Sequence, residues 1–484
     1  MAKNKDEFVQ HIASRTEDFA QWYTDVVIKN DMADYSDVKG CMVIKPYGYA
    51  VWELMQQQMD QRFKETGHVN AYFPLLIPES MLMREAEHVE GFAPEVAWVT
   101  QGGSETLNER LAIRPTSETI IGTMYAKWIQ SYRDLPVLMN QWCNAMRWEK
   151  STRPFLRTAE FLWQEGHTAH ATFEEAQEET MRMLGVYKDF AENVLAIPVL
   201  TGRKSEKEKF AGAKATYTME AMMQDGKALQ MGTSHNMGDN FARSYNIMYL
   251  SREGKQEYCQ TTSWGTSTRM IGGVIMVHGD DRGLMLPPRI APYQAVIVPI
   301  APHKAGVMDK AEEVFRALKA AGIRMKLDDT EQSAGWKFNQ WEMKGVPVRI
   351  ELGPKDIENN QAVLVRRDTH EKQFVSLDGL ADTIKALLDD IHVSMFNRAL
   401  AHRESHTQEV RDFGDFMEAV KTGFAKAPWC GERECEDEIK AITGATTRCY
   451  TLDYDPEAHG DTCIFCGKKA KHLCLLYTSP SPRD

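Results

Sequence analysis

No stretch of the 484-residue chain approaches the ~18 consecutive apolar residues of a membrane span, which excludes a helical membrane protein. The start, MAKNKDEFVQHIAS, carries charges where a signal peptide would carry an apolar run, so a cytoplasmic location is expected. There is no basic excess either. A net charge of −12 excludes a protein that coats nucleic acid nonspecifically, and any RNA contact must come from a local surface. Nor is there a disulfide framework: Cys41, Cys143 and Cys259 stand alone, and the other six cysteines crowd the C-terminus. What remains, 43% hydrophobic and 26% charged residues, suits a globular chain of two to four domains.

The densest chemistry lies between Val137 and His170, VLMNQWCNAMRWEKSTRPFLRTAEFLWQEGHTAH. Strand periodicity from Val137 to Glu149 puts Arg147 and Glu149 on one face, and Lys150 to Pro154 reads as a loop. From Phe155 onward the same arithmetic gathers Arg157, Phe161, Trp163, Glu165 and His167 on one side. A core-facing strand would not carry that mixture, so a polar, concave sheet face is expected.

Around this hairpin the order of elements is legible. Residues 6–29 carry apolar positions at helical spacing (Phe8, Ile12, Phe19, Trp22, Val26), and Pro46 opens a helix from Tyr47 to Thr66 that Gly67 stops. AYFPLLIPES, broken by Pro74 and Pro78, suits an edge strand or turn. Arg114-Pro-Thr-Ser-Glu118 stands at a helix entrance, where Thr116 or Ser117 could serve simply as an N-cap. Residues 172–193 read as helix and 205–210 as a charged turn. Residues 227–243 supply Gln230, Thr233 and His235 around a glycine-rich bend. Residues 261–279 read as a strand ending at Arg269 followed by a helix, a junction where arginine can hold phosphate.

Beyond Pro288 strands and helices alternate: strands at 295–300, 324–327, 346–352 and 362–366, helices at 309–321 and 336–343. This pattern predicts a separate α/β domain. Near the end, Cys430-x4-Cys435 and Cys463-x2-Cys466 offer four thiolates for a tetrahedral structural zinc, with Cys449 as the decoy and free buried cysteines as the alternative.

Taken together, these stretches resemble a class II aminoacyl-tRNA synthetase, and within that class the prolyl-tRNA synthetases of the archaeal and eukaryote-like type. Gly67–Pro78 is similar to the first class motif, Met146-Arg-Trp-Glu149 through Phe155-Leu-Arg157 to the second, and Ser263-Trp-Gly through Arg269 to the third. RPTSE, FLWQEGHTAH and GTSH are similar to the additions of the proline enzymes. The resemblance covers nearly the whole chain. It implies an α+β catalytic domain with an antiparallel sheet flanked by helices (1–286), an α/β anticodon-binding domain (287–395) and a small C-terminal α/β zinc-binding-like domain (396–473). It also implies a homodimer joined partly through the first motif.

The implied reaction joins the carboxylate of L-proline to the α-phosphorus of ATP and then passes the prolyl group to tRNA(Pro). Its nucleophile is already ionised, so rate must come from alignment and from cations facing the phosphoryl oxygens. By resemblance Arg147 and Arg269 are the catalytic pair. Arg147 would meet the α-phosphate and carboxylate, and Arg269 the far end of ATP. Glu149, Arg157, Thr158, Gln230, Thr233 and Ser267 complete the nucleotide site, with Mg²⁺ bridging phosphates. Thr116 and Glu118 would receive the secondary amine, while Trp163, Glu165, His167 and His235 wall the ring pocket. Glu342, Arg349 and Lys355 match positions near the anticodon, although Arg349 in VPVRIELG also fits the outward residue of an alternating strand. Residues 474–484, ending YTSPSPRD, read as an adapter-derived, non-native tail that contacts nothing. Two alternatives stand beside this reading. One is another class II synthetase, for threonine, serine, glycine or histidine; the other is a retired synthetase-like RNA-binding protein.

Overall fold

The computed structural model describes residues 12–88, 95–455 and 459–478. Its frame is an 11-stranded sheet. In chain order the strands are β1 (Val69–Asn70), β2 (Val137–Met146), β3 (Glu160–His170), β4 (Val199–Arg203), β5 (Ala215–Met222), β6 (Ala228–Gly238), β7 (Gln260–Ser267), β8 (Thr407–Glu409), β9 (Phe424–Trp429), β10 (Ala445–Tyr450) and β11 (His472–Thr478). Across the sheet they run β8-β9-β11-β10-β4-β5-β6-β7-β3-β2-β1, antiparallel except for the β8-β9 and β1-β2 pairs at the edges.

Helices cover one face. They are α1 (Phe19–Lys29), α2 (Pro46–Glu65), α3 (Glu118–Trp128), α4 (Phe173–Asn193) and α5 (Arg269–His278). Local signals fix their starts: Asp18 accepts from the Gln21 N–H ahead of α1, Pro46 opens α2, and Thr172 with Glu175 forms a capping box on α4. The apolar stripes of α1, α2, α4 and α5 share with the sheet one core that includes Trp22, Phe63, Tyr187, Phe190, Trp264 and Met270, whereas Ile120, Ile121 and Tyr125 of α3 join a second core with Phe73 and Tyr245. Gly166 is required there, because a Cβ at that position would lie 2.1 Å from the Trp264 ring.

The α/β unit that follows holds a five-stranded sheet ordered Met325–Leu327, Ala295–Pro299, Val348–Leu352, Gln361–Arg366, Lys372–Ser376, with the first three strands parallel. Its helices include α6 (Ala334–Met343) and the long α7 (Leu380–Ser405). Arg367, 2% exposed in its side chain, docks this unit on the catalytic one. It donates bidentately to Asp280 at 2.7 and 2.6 Å and to the Glu342 carbonyl at 2.8 Å.

Five expectations change. The first helix begins at Phe19, not near residue 6, because Asp18 caps it; Phe8 lies outside the described residues. The strand expected from Phe155 begins at Glu160, since residues 153–157 close a tight loop in which the Arg157 N–H donates to the Arg153 carbonyl at 3.0 Å. The glycine-rich bend is the strand β6, irregular in register at Met231 and between Asn236 and Gly238: a Cβ on Gly232 would lie 2.6 Å from Thr266 Cγ2, so glycine there serves close packing between strands. The boundary set at 395/396 falls inside α7, which runs unbroken across it. Finally, residues 474–478, set aside as tail, form most of β11. Cys474, Leu475, Leu476 and Tyr477 are buried between β9 and β10.

Candidate active site

Register builds the site. Gln141, Glu165, Gly265, Thr233 and Thr218 lie side by side across β2, β3, β7, β6 and β5, and His167, Ser263, His235 and Thr216 form the next row. All of these except Gln141 and Thr218 line a cavity of about 270 Å³. Every nucleotide and amino-acid residue expected from the sequence lines it: Thr116, Glu118, Arg147, Glu149, Arg157, Thr158, Trp163, Glu165, His167, Gln230, Thr233, His235, Ser267 and Arg269.

Arg147 follows β2, and its Nε donates to the Pro115 carbonyl at 3.2 Å. Its guanidinium lies 5.4 Å from the Phe161 ring centroid and 5.6 Å from that of Trp163. Among the described residues it forms no direct ion pair, and burial pushes it below its ordinary pKa against the opposing pull of Glu118, Glu165 and Glu149. Arg157 is paired instead, donating to Glu149 through Nε at 2.7 Å and Nη2 at 2.6 Å. Arg269, the first residue of α5, donates to the Leu156 carbonyl at 3.0 Å. One compact arginine set thus reaches the cavity from the β2-β3 loop and the β7-α5 junction.

At the other end two carboxylates, Glu165 buried and Glu118 half-buried, behave oppositely. Burial would raise Glu165, yet hydrogen bonds from His167, Ser117 and Gln141 hold it below its ordinary range. Gln141 Nε2 donates at 2.9 Å, His167 Nε2 lies at 2.9 Å, and both the N–H and the hydroxyl of Ser117 point to this carboxylate. Burial keeps Glu118 above its ordinary range; the Glu165 charge adds to this, against the pull of His167. Thr116 donates its hydroxyl to Glu118. His235, between Thr216 at 2.9 Å and Thr233 at 3.0 Å, is pushed down to about 3 by burial and is neutral at pH 7. Chemically this is a socket for a small cationic amine, flanked by a neutral imidazole and aromatic walls, next to an arginine cluster suited to phosphate.

Sequence reading missed Ser117 as a partner of Glu165: it stands at the N-cap of α3 but makes no capping bond with its side chain. It also missed Gln141, and the cavity-lining Lys204, Glu208, Phe210 and Thr216. The signal for Ser117 was its place inside RPTSE. Lys204 and Phe210 carried none, because one precedes and the other ends what reads as a charged turn.

In the α/β unit, a small cavity brings Glu342 and Arg349 together with Trp341, Arg366 and Arg367, and does not include Lys355, which is exposed. Arg349 is buried, not outward as plain alternation would have it. It pairs with Glu342 at 3.3 Å and Glu351 at 3.0 Å and lies 4.0 Å over the Phe338 ring.

The four cysteines near the C-terminus also converge. Cys430 follows β9, Cys435 lies on α8 (Arg433–Thr443), and Cys463 and Cys466 sit in a loop closed by the Thr462–Lys469 bridge. Their sulfurs all lie within 4.8 Å of one another, and Cys466 Sγ is 3.8 Å from Cys430 Sγ. A tetrahedral zinc with Zn–S of about 2.3 Å requires sulfur separations of about 3.8 Å, so the donor set fits that ion. Cys449 is buried apart from the set.

Comparison with known proteins matches three stretches of the chain. Residues 98–278 match the model for the class II tRNA synthetase core domain (G, H, P, S and T), and residues 294–387 that for the anticodon-binding domain. The fold and its cavity therefore define a class II aminoacyl-tRNA synthetase. Residues 413–476 match the prolyl-tRNA synthetase C-terminal domain. The chain is 62% identical to the proline–tRNA ligase of Acetoanaerobium sticklandii, over 98% of this chain and 99% of that one. It is likewise 62% identical to that of Alkaliphilus oremlandii and 60% to proline–tRNA ligase 2 of Clostridioides difficile, at the same coverage. The chain belongs to the prolyl-tRNA synthetase family.

Proposed function

We propose that this chain is a proline–tRNA ligase that activates L-proline with ATP to prolyl-adenylate and transfers the prolyl group to tRNA(Pro). The observation that carries this reading is the single cavity in which the amine socket of Glu118 and Glu165 adjoins Arg147 and Arg269. Glu118 and Glu165, with Thr116, hold the secondary amine; Trp163, His167 and His235 enclose the ring. Arg147 aligns the proline carboxylate with the α-phosphate and offsets charge there as the bond to the leaving pyrophosphate lengthens. Arg269 holds the distal phosphates, and Glu149, Arg157, Thr158, Gln230, Thr233 and Ser267 seat the nucleoside. Mg²⁺, when bound with ATP, neutralises phosphate charge. No side-chain base is needed, so alignment and electrostatics account for the rate.

Glu342 and Arg349 read anticodon bases, with Lys355 at the periphery, and zinc on Cys430, Cys435, Cys463 and Cys466 pins the C-terminal unit. The enzyme is a homodimer joined through the segment around Gly67–Pro78, a reading supported by the exposed Val69 and Tyr72. It works in the cytoplasm; among the described residues no helix is long and apolar enough to cross a membrane. Assignment to the archaeal and eukaryote-like subtype rests on the direct path from His170 to Gln260, through α4 and β4–β6, without an inserted domain. Amino-acid-dependent ATP–pyrophosphate exchange across all twenty amino acids tests the proposal. Exchange is expected with proline far above the rest; equal exchange with threonine, serine, glycine or histidine, or none at all, refutes it.

A further inference from the structure

Lys204 lines the catalytic cavity but is only 5% exposed. Its Nζ donates to Glu220 Oε1 at 3.0 Å, the oxygen that also accepts the Thr218 hydroxyl at 3.0 Å. The other oxygen of Glu220 accepts Nη2 and Nε of Arg448 at 3.0 and 3.3 Å. Arg448 does not belong to the catalytic unit. It lies on β10, the strand by which the C-terminal unit extends the catalytic sheet through the Tyr450–Arg203 pair. Glu220 itself has no solvent exposure.

One buried carboxylate is therefore gripped from the cavity by a lysine and from behind by an arginine of another unit. The charges decide what this does. Lys204, Glu220 and Arg448 together carry one net positive charge. Cys449, beside Glu220, stays a neutral thiol because burial pushes it up to about 12, and Glu208, the further carboxylate that acts on Arg448 and lines the cavity, is exposed, so solvent screens its charge. Without Arg448 the cluster would be neutral, and Lys204 would be cancelled by its carboxylate. An ammonium has three donors, and Glu220 takes one.

We propose that Arg448 is a positioning residue of the catalytic cavity: it offsets Glu220 so that Lys204 presents uncancelled charge and its remaining donors to the phosphate of ATP and of the aminoacyl-adenylate. The C-terminal unit thereby contributes to the electrostatics of amino-acid activation although none of its residues lines the described cavity. This rests on the activation reaction proposed above.

The test is ATP–pyrophosphate exchange on the full chain, with folding followed by circular dichroism. Proline-dependent exchange by the parent protein checks the underlying reaction first, so its absence counts against that reading and is distinguished from the variant results. Given that exchange, Arg448→Ala should lower kcat/KM for ATP about tenfold, the order expected of one unit charge acting through the interior, while KM for proline stays within about twofold. Arg448→Lys, which keeps the charge, should recover most of the loss. The decisive variant is Glu220→Gln with Arg448→Ala, which restores the net positive charge by removing the carboxylate; its kcat/KM for ATP should rise above that of Arg448→Ala and approach the parent. The proposal is overturned by full activity in Arg448→Ala, or by a double variant no better than Arg448→Ala. If Arg448→Ala does not fold, Arg448→Lys and the double variant still decide: either one folded but below about one fifth of parental kcat/KM overturns it.

Discussion

Replacing Arg147 should separate catalysis from stability. In the structure its guanidinium holds one backbone carbonyl, lies near two aromatic rings and forms no direct ion pair among the described residues. Truncation to alanine forfeits a hydrogen bond worth about 1 kcal/mol and cation–π contact worth about 0.5–1 kcal/mol. It also relieves a half-buried charge whose desolvation works against folding, the cause of its lowered pKa. These terms nearly cancel, so stability should change by no more than about 1 kcal/mol. The activation step has no such offset: a lost cation opposite developing phosphoryl charge is comparable to a lost oxyanion donor, about 10²–10³ in kcat, or about 2.7–4 kcal/mol. Arg147→Lys should regain less than about tenfold, because an ammonium can neither fork between carboxylate and phosphate nor keep the Pro115 contact. Exchange at saturating proline and ATP, beside a thermal melt, reads both quantities. Turnover within about threefold of the parent, or a collapse in melting temperature matching the loss of activity, would refute the assignment of Arg147 to the chemistry.

Metal analysis of purified protein should find one zinc per chain, and Cys463→Ser should lower it while destabilising the C-terminal unit toward proteolysis; a parent protein free of zinc after refolding with excess metal would refute the site. Acid should act through Glu220, whose carboxyl, despite the cost of burial, is drawn from 4.5 to about 2 by Arg448 and Lys204. A depressed folded-state pKa gives stability that is complete above the unfolded value and is lost as pH falls from about 4.5 toward 2, on the order of 3 kcal/mol for this shift. The stability gap between parent and Glu220→Gln should therefore narrow between pH 5 and pH 3, measured by urea unfolding; a gap independent of pH would contradict the pairing.

How much of this was legible in the sequence follows from how local each signal is. Period-two reading aligned Phe161, Trp163, Glu165 and His167 because β3 is regular there; it failed at Phe155, where a positive φ of 59° turns the chain and only long-range packing could reveal the loop. Helix starts at Pro46 and Thr172 were readable because their causes are local: proline presets the first helical φ, and the Thr172 capping partner Glu175 sits three residues on. Glu165 with Ser117 and Gln141, or Glu220 with Arg448, join residues 24 to 228 positions apart, and no local pattern encodes such pairs. Arg349 misled for the same reason: alternation assigns it a face, but its burial is set by Phe338 and Glu342 on α6.

The final strand shows the same limit most sharply. Read by composition, residues 474–484 are a foreign tail, and nothing in CLLYTSPSPRD announces a partner. Yet β9 and β10 do not pair with each other; β11 fills the space between them, with Ala427 opposite Cys474 and Thr447 opposite Leu476. Leu475, Leu476 and Tyr477 are each no more than 5% exposed, and Tyr477 meets the Phe424 ring edge-on at 5.9 Å. Each such side chain contributes about 1.5–3 kcal/mol on burial, an upper estimate before chain entropy is subtracted. Ending the chain after Leu473 would also strip both flanking strands of their ladder partners along this stretch. The expectation that residues from 474 onward contact nothing is therefore reversed for 474–478: the shortened chain should show an early unfolding transition confined to the C-terminal unit. Because β10 carries Arg448, its proline-dependent exchange should also fall, by about tenfold in kcat/KM for ATP. Tyr477→Ala should give a milder version, with the transition lowered but exchange largely kept. A truncated chain with the melting profile and exchange rate of the parent would mean that β11 does not hold this sheet together.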